Sequence, residues 1–486
     1  MSRFTKRALL LIAAVGCVLA AALGSVLAAQ LPSTPAGKRL DEFLGAMNTS
    51  SEEKLKAFHT NSTTPERTAQ RAARDLDFVR ANGNFTILEI VKSTDIEITA
   101  KVRTALTEMV FDVSIGVEPM APHRLTSIGI RAGSAPQSEA RKRTDAEIVE
   151  ALDTLVAKLI QADQFSGAVK LTKSGKTLYE KASGLASIAF NVPNQLDTKF
   201  NLGSMNKMFT AVAIAQLAQQ GKLTFDDTVG KHLTDYPNKA VAEKVKIHHL
   251  LTHTSGIGDY FNQKYQEASK TRFRAVKDYL PLFVDDPLQF EPGERFSYSN
   301  AGFLLLGLIL ERVSGEEYFE YVRRHIYQPA GMTHTDTFEM DFDTPDLAIG
   351  YTRDAATGRL RNNLYLHVVK GGPAGGGFST VNDLVRFAAA LMDGTLLEEK
   401  YRELLLAGKV EAFGPASKYG YGFVEVTDNG NRMVGHGGGF PGISADLSVY
   451  RDQGYVLAAL SNRDGGTGPI SHKVRELLRQ PSSRRE

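Results

Sequence analysis

Residues 200–217 read FNLGSMNKMFTAVAIAQL, and the rest of the chain falls into place around them. Ser204 stands three positions ahead of Lys207 at the start of an apolar helical stretch that runs to about Gly221. That spacing puts the hydroxyl and the amine on one helix face, roughly one turn apart. A serine attacks poorly at its free pKa and needs a nearby proton acceptor, and a lysine partly desolvated at a helix N-terminus is held neutral enough to serve. The same helix start offers an unpaired backbone N–H to a developing oxyanion. The spacing alone is common, so its meaning depends on what else the chain carries.

Two further motifs bear on it. Phe296-Ser297-Tyr298-Ser299-Asn300 follows the turn Glu291-Pro292-Gly293-Glu294 and precedes the apolar helix Phe303 to Val313, which places Tyr298 and Asn300 on a loop entering a helix. A tyrosine passes protons and an asparagine binds an amide. Near the end of the chain, Gly435-His436-Gly437-Gly438-Gly439 lies on a strand, where glycines let a substrate backbone approach and leave an N–H as a second oxyanion donor.

Upstream of this region the chain reads as three parts. Arg3, Lys6 and Arg7 precede an apolar run from Ala8 to Ala29, with Val26-Leu27-Ala28 resembling a small-residue cleavage site. Residues 1–29 are therefore a signal peptide or an uncleaved N-terminal anchor, which implies a secreted or periplasmic protein with possible membrane attachment through residues 8–29. Residues 36–131 form a small α+β domain. Leu40, Phe43, Leu44 and Met47 mark one helix face, Ser50 with Glu53 and Thr63 with Glu66 are capping-box starts, and period-two runs follow at Ile96 to Val102, Phe111 to Val117 and Ile128 to Ile130. This domain resembles cystatin-like or NTF2-like modules and carries no chemical motif. Residues 132–143 form a Gly, Ser, Pro and Arg-Lys-Arg linker.

Residues 144–480 form the domain that holds the motifs. Thr144 with Glu147 opens a helix, and Lys173-Ser174-Gly175-Lys176 turns a hairpin between Val169-Leu171 and Leu178-Tyr179. A mostly helical middle runs to about Lys400, and strands around Met433, Ile443 to Tyr450 and Tyr455 to Leu460 precede a last helix. That order predicts one antiparallel sheet built from both ends of the domain, flanked by helices, with an all-helical lobe between.

Ser-x-x-Lys, Tyr-x-Asn and a His-x-Gly in place of Lys-Thr-Gly, in that order, resemble the serine β-lactamase and penicillin-recognising superfamily, on its class C branch. That branch holds class C β-lactamases, D-Ala-D-Ala carboxypeptidases, D-aminopeptidases and esterases. GKLTFDDTVG at Gly221 to Gly230, HLLTHTSG at His249 to Gly256 and GGGFSTVNDL at Gly375 to Leu384 belong to the same likeness, which spans about Thr144 to Leu478. The resemblance implies a serine hydrolase working through an acyl-enzyme. Ser204 is then the nucleophile, Lys207 and Tyr298 share the acid/base work in an order the sequence leaves open, Asn300, His436 and Gly438 contact substrate, and the N–H groups of Ser204 and Gly439 form the oxyanion hole. His436 stands where relatives have a lysine that helps hold a substrate carboxylate. This favours ester or peptide-like substrates over β-lactams. The alternatives are carboxypeptidase or β-lactamase activity, or a non-catalytic relative that binds cell-wall peptide or a partner.

Composition narrows the classes further. Lys+Arg 57 against Asp+Glu 55 leaves a net charge of +2, and with no long run of like charge there is no footprint for nucleic acid. The lone cysteine, Cys17, lies in the apolar leader, so the chain beyond it has no thiol for a disulfide, a nucleophile or a metal. His249 and His253 are four apart, yet the position after His249 is Leu250 and not the glutamate of a zincin. The glycine cluster Gly371 to Gly377 lacks the ending of a phosphate loop and reads as a turn before a helix capped by Thr380 and Asp383. No cofactor or metal is expected, the partner is a small-molecule or peptide substrate, and the sequence sets no oligomeric state.

Overall fold

The computed structural model describes residues 31–60, 65–354, 357–414, 416–428 and 430–481. The leader and the Thr63 cap lie outside them. Among the described residues no helix is long and apolar enough to cross a membrane. The described residues divide into two compact units, one running to Ala105 and taking in Val110–Pro136, the other made of Leu106–Met109 and the residues from Gln137 onward.

In the first unit, α1 (Pro35–Asn48) starts at Thr34, whose side chain accepts the Gly37 N–H, and buries Leu40, Phe43, Leu44 and Met47. The next helix, α2 (Glu52–Thr60), does not start on a Ser50 box: Ser50 sits in the left-handed region with φ of 50°, turning the chain out of α1, and Ser51 accepts the Lys54 N–H instead. After α3 (Pro65–Asn82), four antiparallel strands pair in chain order, β1 (Phe85–Ser93), β2 (Glu97–Thr104), β3 (Val110–Val117) and β4 (Leu125–Ala132). Ile98, Ala100 and Val102 are buried at every second position of β2, as the alternation requires.

The second unit opens with α4 (Asp145–Gln161). Its capping box is complete: Thr144 Oγ1 accepts the Glu147 N–H at 3.3 Å and Glu147 returns to the Thr144 N–H at 2.8 Å. Thr144→Ala leaves the Glu147 N–H to water and should cost about 1 kcal/mol, read as a lower urea midpoint at unchanged slope.

Strands β5 (Gly167–Lys173) and β6 (Lys176–Ser183) are joined through Ser174 and Gly175, both with positive φ (49° and 78°), the turn whose twist matches a hairpin. They complete an eight-stranded antiparallel sheet in the order Val410–Glu411, Ser417–Tyr419, Val424–Asp428, Asn431–Phe440, Ile443–Tyr450, Tyr455–Ser461, β5, β6. One face packs α4 and the last helix, Gly468–Leu477, through Leu152, Leu155 and Val474 against Val169, Leu171 and Leu457. The other face packs α5 (Asn206–Gln219) and the helical middle through Ala168, Leu447 and Leu460. Neighbouring residues of β5 thus serve opposite cores, Ala168 one and Val169 the other. Helix α5 is buried on nearly every side, from Asn206 to Ala218.

One irregularity of the sheet positions the site. Strand Asn431–Phe440 pairs with Ile443–Tyr450 as far as Phe440, but with Val424–Asp428 only as far as Gly435. Beyond Gly435 its second edge lacks a strand partner and meets the turn Gly203–Met205 that leads into α5. The approach is too close for a side chain: a Cβ on Gly438 would lie 1.8 Å from the Leu202 carbonyl oxygen.

Candidate active site

Ser204 sits in the turn ahead of α5, and Lys207 is the second residue of that helix, fully buried. Lys207 Nζ is 3.2 Å from Ser204 Oγ, 2.7 Å from Asn300 Oδ1 and 2.6 Å from the Ala374 carbonyl oxygen. Burial brings the lysine pKa down to about 7, against the opposing field of Asp259. A neutral amine has two hydrogens and one lone pair. With both hydrogens on carbonyl oxygens, the lone pair is left for the Ser204 hydroxyl.

Tyr298 and Asn300 arrive from the start of helix Asn300–Ser314, capped by Ser299, whose side chain accepts the Gly302 N–H. The Tyr298 hydroxyl is hydrogen-bonded to Ser204, and burial holds that phenol well above its ordinary pKa, hence protonated. Its ring lies 4.8 Å from Lys207 Nζ and packs at a tilt of 32° against His253 with centroids 4.1 Å apart. Asn300 takes Lys207 with its oxygen and gives Nδ2 to Asp259 Oδ2 at 2.8 Å.

On the open strand edge, a Cβ on Gly203 would come within 2.9 Å of the Gly439 nitrogen, so Gly439 N–H faces the turn that carries Ser204. Gly203 itself has φ of +50°, which a side chain rarely adopts. Ser204, Tyr298, Asn300 and Gly439 all line one cleft, with an empty volume of about 820 Å³. Its walls are mostly apolar and aromatic: Tyr260, Phe261, Phe338, Met340, Phe378 and Phe440. Among the described residues no lysine or arginine lines it.

Two expected substrate contacts do not reach this cleft. His436 is buried; its Nδ1 donates to the Gly437 carbonyl oxygen and its Nε2 accepts the Tyr419 hydroxyl at 2.8 Å. Residues two apart on a strand share a face, and His436 shares the face of Gly438, which is turned onto Leu202. Burial lowers the imidazole pKa to about 3, so it is neutral and fully engaged, with nothing to offer a carboxylate. Gly438 fails for the same reason: its role is the close approach to Leu202.

The sequence reading missed Asn206, Ala374 and Asp259. Asn206 is buried at the start of α5; its Nδ2 donates to the Gly372 carbonyl and its Oδ1 accepts the Gly377 N–H, which fixes the glycine loop and brings the Ala374 carbonyl to Lys207. The cluster Gly371 to Gly377 was the signal for that loop, read only as a turn before its helix. The two histidines of HLLTH have separate partners, His249 Nδ1 accepting the Lys246 N–H and His253 Nδ1 the Ser299 N–H.

A family model described as Beta-lactamase matches residues 152–479, two thirds of the chain. The chain belongs to that family. Penicillin-binding protein 4* of Bacillus subtilis (strain 168) is 30% identical to it over 329 residues, 65% of this chain and 72% of the relative. A solved penicillin binding protein from Bacillus halodurans matches at TM-score 0.62 and 34% identity over 66% of this chain and 100% of its own. A D-stereospecific amidohydrolase from Streptomyces sp. matches at TM-score 0.56 and 25% identity over 68% of this chain and 98% of its own. The fold is the β-lactamase-like one that the three motifs in their order, with the order of helices and strands, imply, and the chain is a serine hydrolase of the penicillin-recognising superfamily.

Proposed function

We propose that this hydrolase cleaves neutral ester or amide bonds next to a bulky apolar group, through an acyl-enzyme on Ser204. The observation that carries the reading is the frame around Lys207, with two carbonyl oxygens on its hydrogens and Ser204 Oγ in the remaining direction. Ser204 Oγ attacks the substrate carbonyl carbon as its proton passes to Lys207 Nζ, and the oxyanion forms between the N–H groups of Ser204 and Gly439. The proton returns to the leaving oxygen or nitrogen by way of the Tyr298 hydroxyl, which is protonated and already bonded to Ser204. Water, deprotonated by Lys207, then attacks the acyl ester and Ser204 recovers its proton. Because its phenol is held high while the amine is held near 7, Lys207 and not Tyr298 is the base of the resting site.

The aromatic cleft without a cation supports the substrate class. A carboxylate entering it loses water and gains no counter-charge. A p-nitrophenyl ester of an aromatic acyl group should therefore exceed its carboxylated analogue in kcat/KM by about tenfold or more, the worth of one unmade charged hydrogen bond. Equal values would overturn the substrate class, and an amide series headed by D-phenylalanine amide tells whether amides share the site. Mass mapping of a fluorophosphonate adduct tests the nucleophile: it belongs on Ser204, and an adduct on Ser255 or Ser444 refutes the assignment. The basic start and apolar run of residues 8–29, with no cysteine beyond Cys17, support action outside the cytoplasm after secretion or on an N-terminal anchor.

A further inference from the structure

Asp259 belongs to no motif, yet its carboxylate accepts three N–H groups. Oδ2 takes Asn300 Nδ2 at 2.8 Å and the Asn300 backbone N–H at 3.2 Å, and Oδ1 takes the Phe261 N–H at 3.1 Å. The same loop is tied to the helix start a second time, by Ser299 Oγ donating to the Gly258 carbonyl at 2.7 Å. Asn300 thus stands between Lys207 on one side and Asp259 on the other.

A primary amide has nearly the same shape in its two orientations, so its surroundings choose between them. A carboxylate has no hydrogen to give, which turns Nδ2 toward Asp259 and Oδ1 toward Lys207. Reversed, Asn300 would press N–H hydrogens on Lys207 Nζ. The amine would then turn its lone pair to the amide and away from Ser204.

We infer that Asp259 is a positioning residue of the hydrolase, which fixes the Asn300 amide so that the lone pair of Lys207 stays on Ser204. The inference rests on the reading of Lys207 as base. It also predicts a charge effect. Around Lys207 lie Asp259, Tyr298, His253 and His436; burial keeps the phenol protonated and both imidazoles neutral, and Asp259 supplies the negative field that favours the ammonium. Without that charge the lysine should lose its proton at lower pH.

A double-mutant cycle on Asp259 and Asn300 tests this, read by kcat/KM on a neutral p-nitrophenyl ester and by the rate at which a fluorophosphonate labels Ser204. At about pH 9 the lysine is neutral in every variant, so rate differences report orientation and not protonation. Asp259→Ala should slow both reactions tenfold to a hundredfold (~10 to ~100) with KM nearly unchanged, yet change them less than about twofold in an Asn300→Ala background. Asp259→Asn still presents an oxygen to Nδ2. It should recover the rate at about pH 9 to within roughly threefold, while the acid limb of its pH profile moves to lower pH. Equal losses in both backgrounds, or an Asp259→Asn limb where the wild type has it, would overturn the inference. If wild-type Ser204 takes no label, or Lys207→Ala reacts like the wild type, the base reading has failed by itself. A ¹³C-lysine NMR titration, assigned through Lys207→Ala, then decides the orientation: a lower Lys207 midpoint in Asp259→Ala than in Asp259→Asn supports it, and equal midpoints refute it.

Discussion

Ser204→Ala and Lys207→Ala should each lower kcat by about 10³-fold or more, roughly 4 kcal/mol of barrier, and the double variant should be no slower than the worse single one. The two side chains act as one unit: the hydroxyl is a nucleophile only while the amine, 3.2 Å away, takes its proton. Lys207→Arg sharpens the test. A guanidinium keeps the positive charge and the hydrogen bonds to Asn300 and Ala374 but does not give up its proton in proteins. Arginine should thus be as inactive as alanine if Lys207 is a base, and substantially active if it serves only as a fixed cation. The pH dependence has a definite sign. The competent form is the neutral amine, and burial brings its pKa to about 7, so wild-type kcat/KM should fall as pH drops through about 7 and level off above it. Retained turnover in Lys207→Ala, or an acid limb near the ordinary carboxylate range, would transfer the base role to another group. Ser204→Ala, whose side chain is not part of the core, should unfold at the wild-type urea midpoint.

The pieces legible in the sequence were those made by local rules. Ser204 and Lys207 are one helical turn apart, and no distant segment is needed to bring them together. The Thr144 capping box and the Ser174-Gly175 hairpin turn are likewise set by residues within reach of one another. The strands Val410–Glu411, Ser417–Tyr419 and Val424–Asp428 escaped notice because two to five residues are too few to show an alternation. Asp259, Asn206 and Ala374 escaped for a different reason. Each acts through a partner 41 to 171 residues away, and for Ala374 the working atom is a backbone carbonyl, which no residue type announces. His436 shows the opposite failure. A place in a motif does not say which way a strand residue faces, and for His436 that follows only from where Gly438 packs.

His436→Lys should therefore destabilise the protein by about 3–5 kcal/mol and should not create a carboxylate site. A histidine on the cleft wall would predict the reverse, a cation that recruits anionic substrates. In the structure the side chain at 436 is buried on Tyr419, where a lysine ammonium would lose its water, find a single hydroxyl in return and face the field of Lys207. The second cation would also push the Lys207 pKa further down, so whatever activity survives should keep its acid limb at lower pH than the wild type. The wild-type imidazole, with its pKa brought to about 3, stays neutral through mildly acidic pH. The preference for anionic over neutral esters should consequently not grow as pH falls through about 6.5, where an exposed histidine would charge. Stability, in contrast, should register the proton. The folded pKa lies below the unfolded one, so the unfolded chain takes up the proton first; the contribution is complete above about pH 6.5 and is lost as pH falls toward 3. His436→Gln, which can still accept from Tyr419 and does not titrate, should lose less stability than the wild type between about pH 7 and about pH 5. Urea unfolding of the three proteins at those two pH values, with kcat/KM for the paired esters, decides the matter. A stable His436→Lys protein that gains on the carboxylated ester would return the residue to the cleft wall.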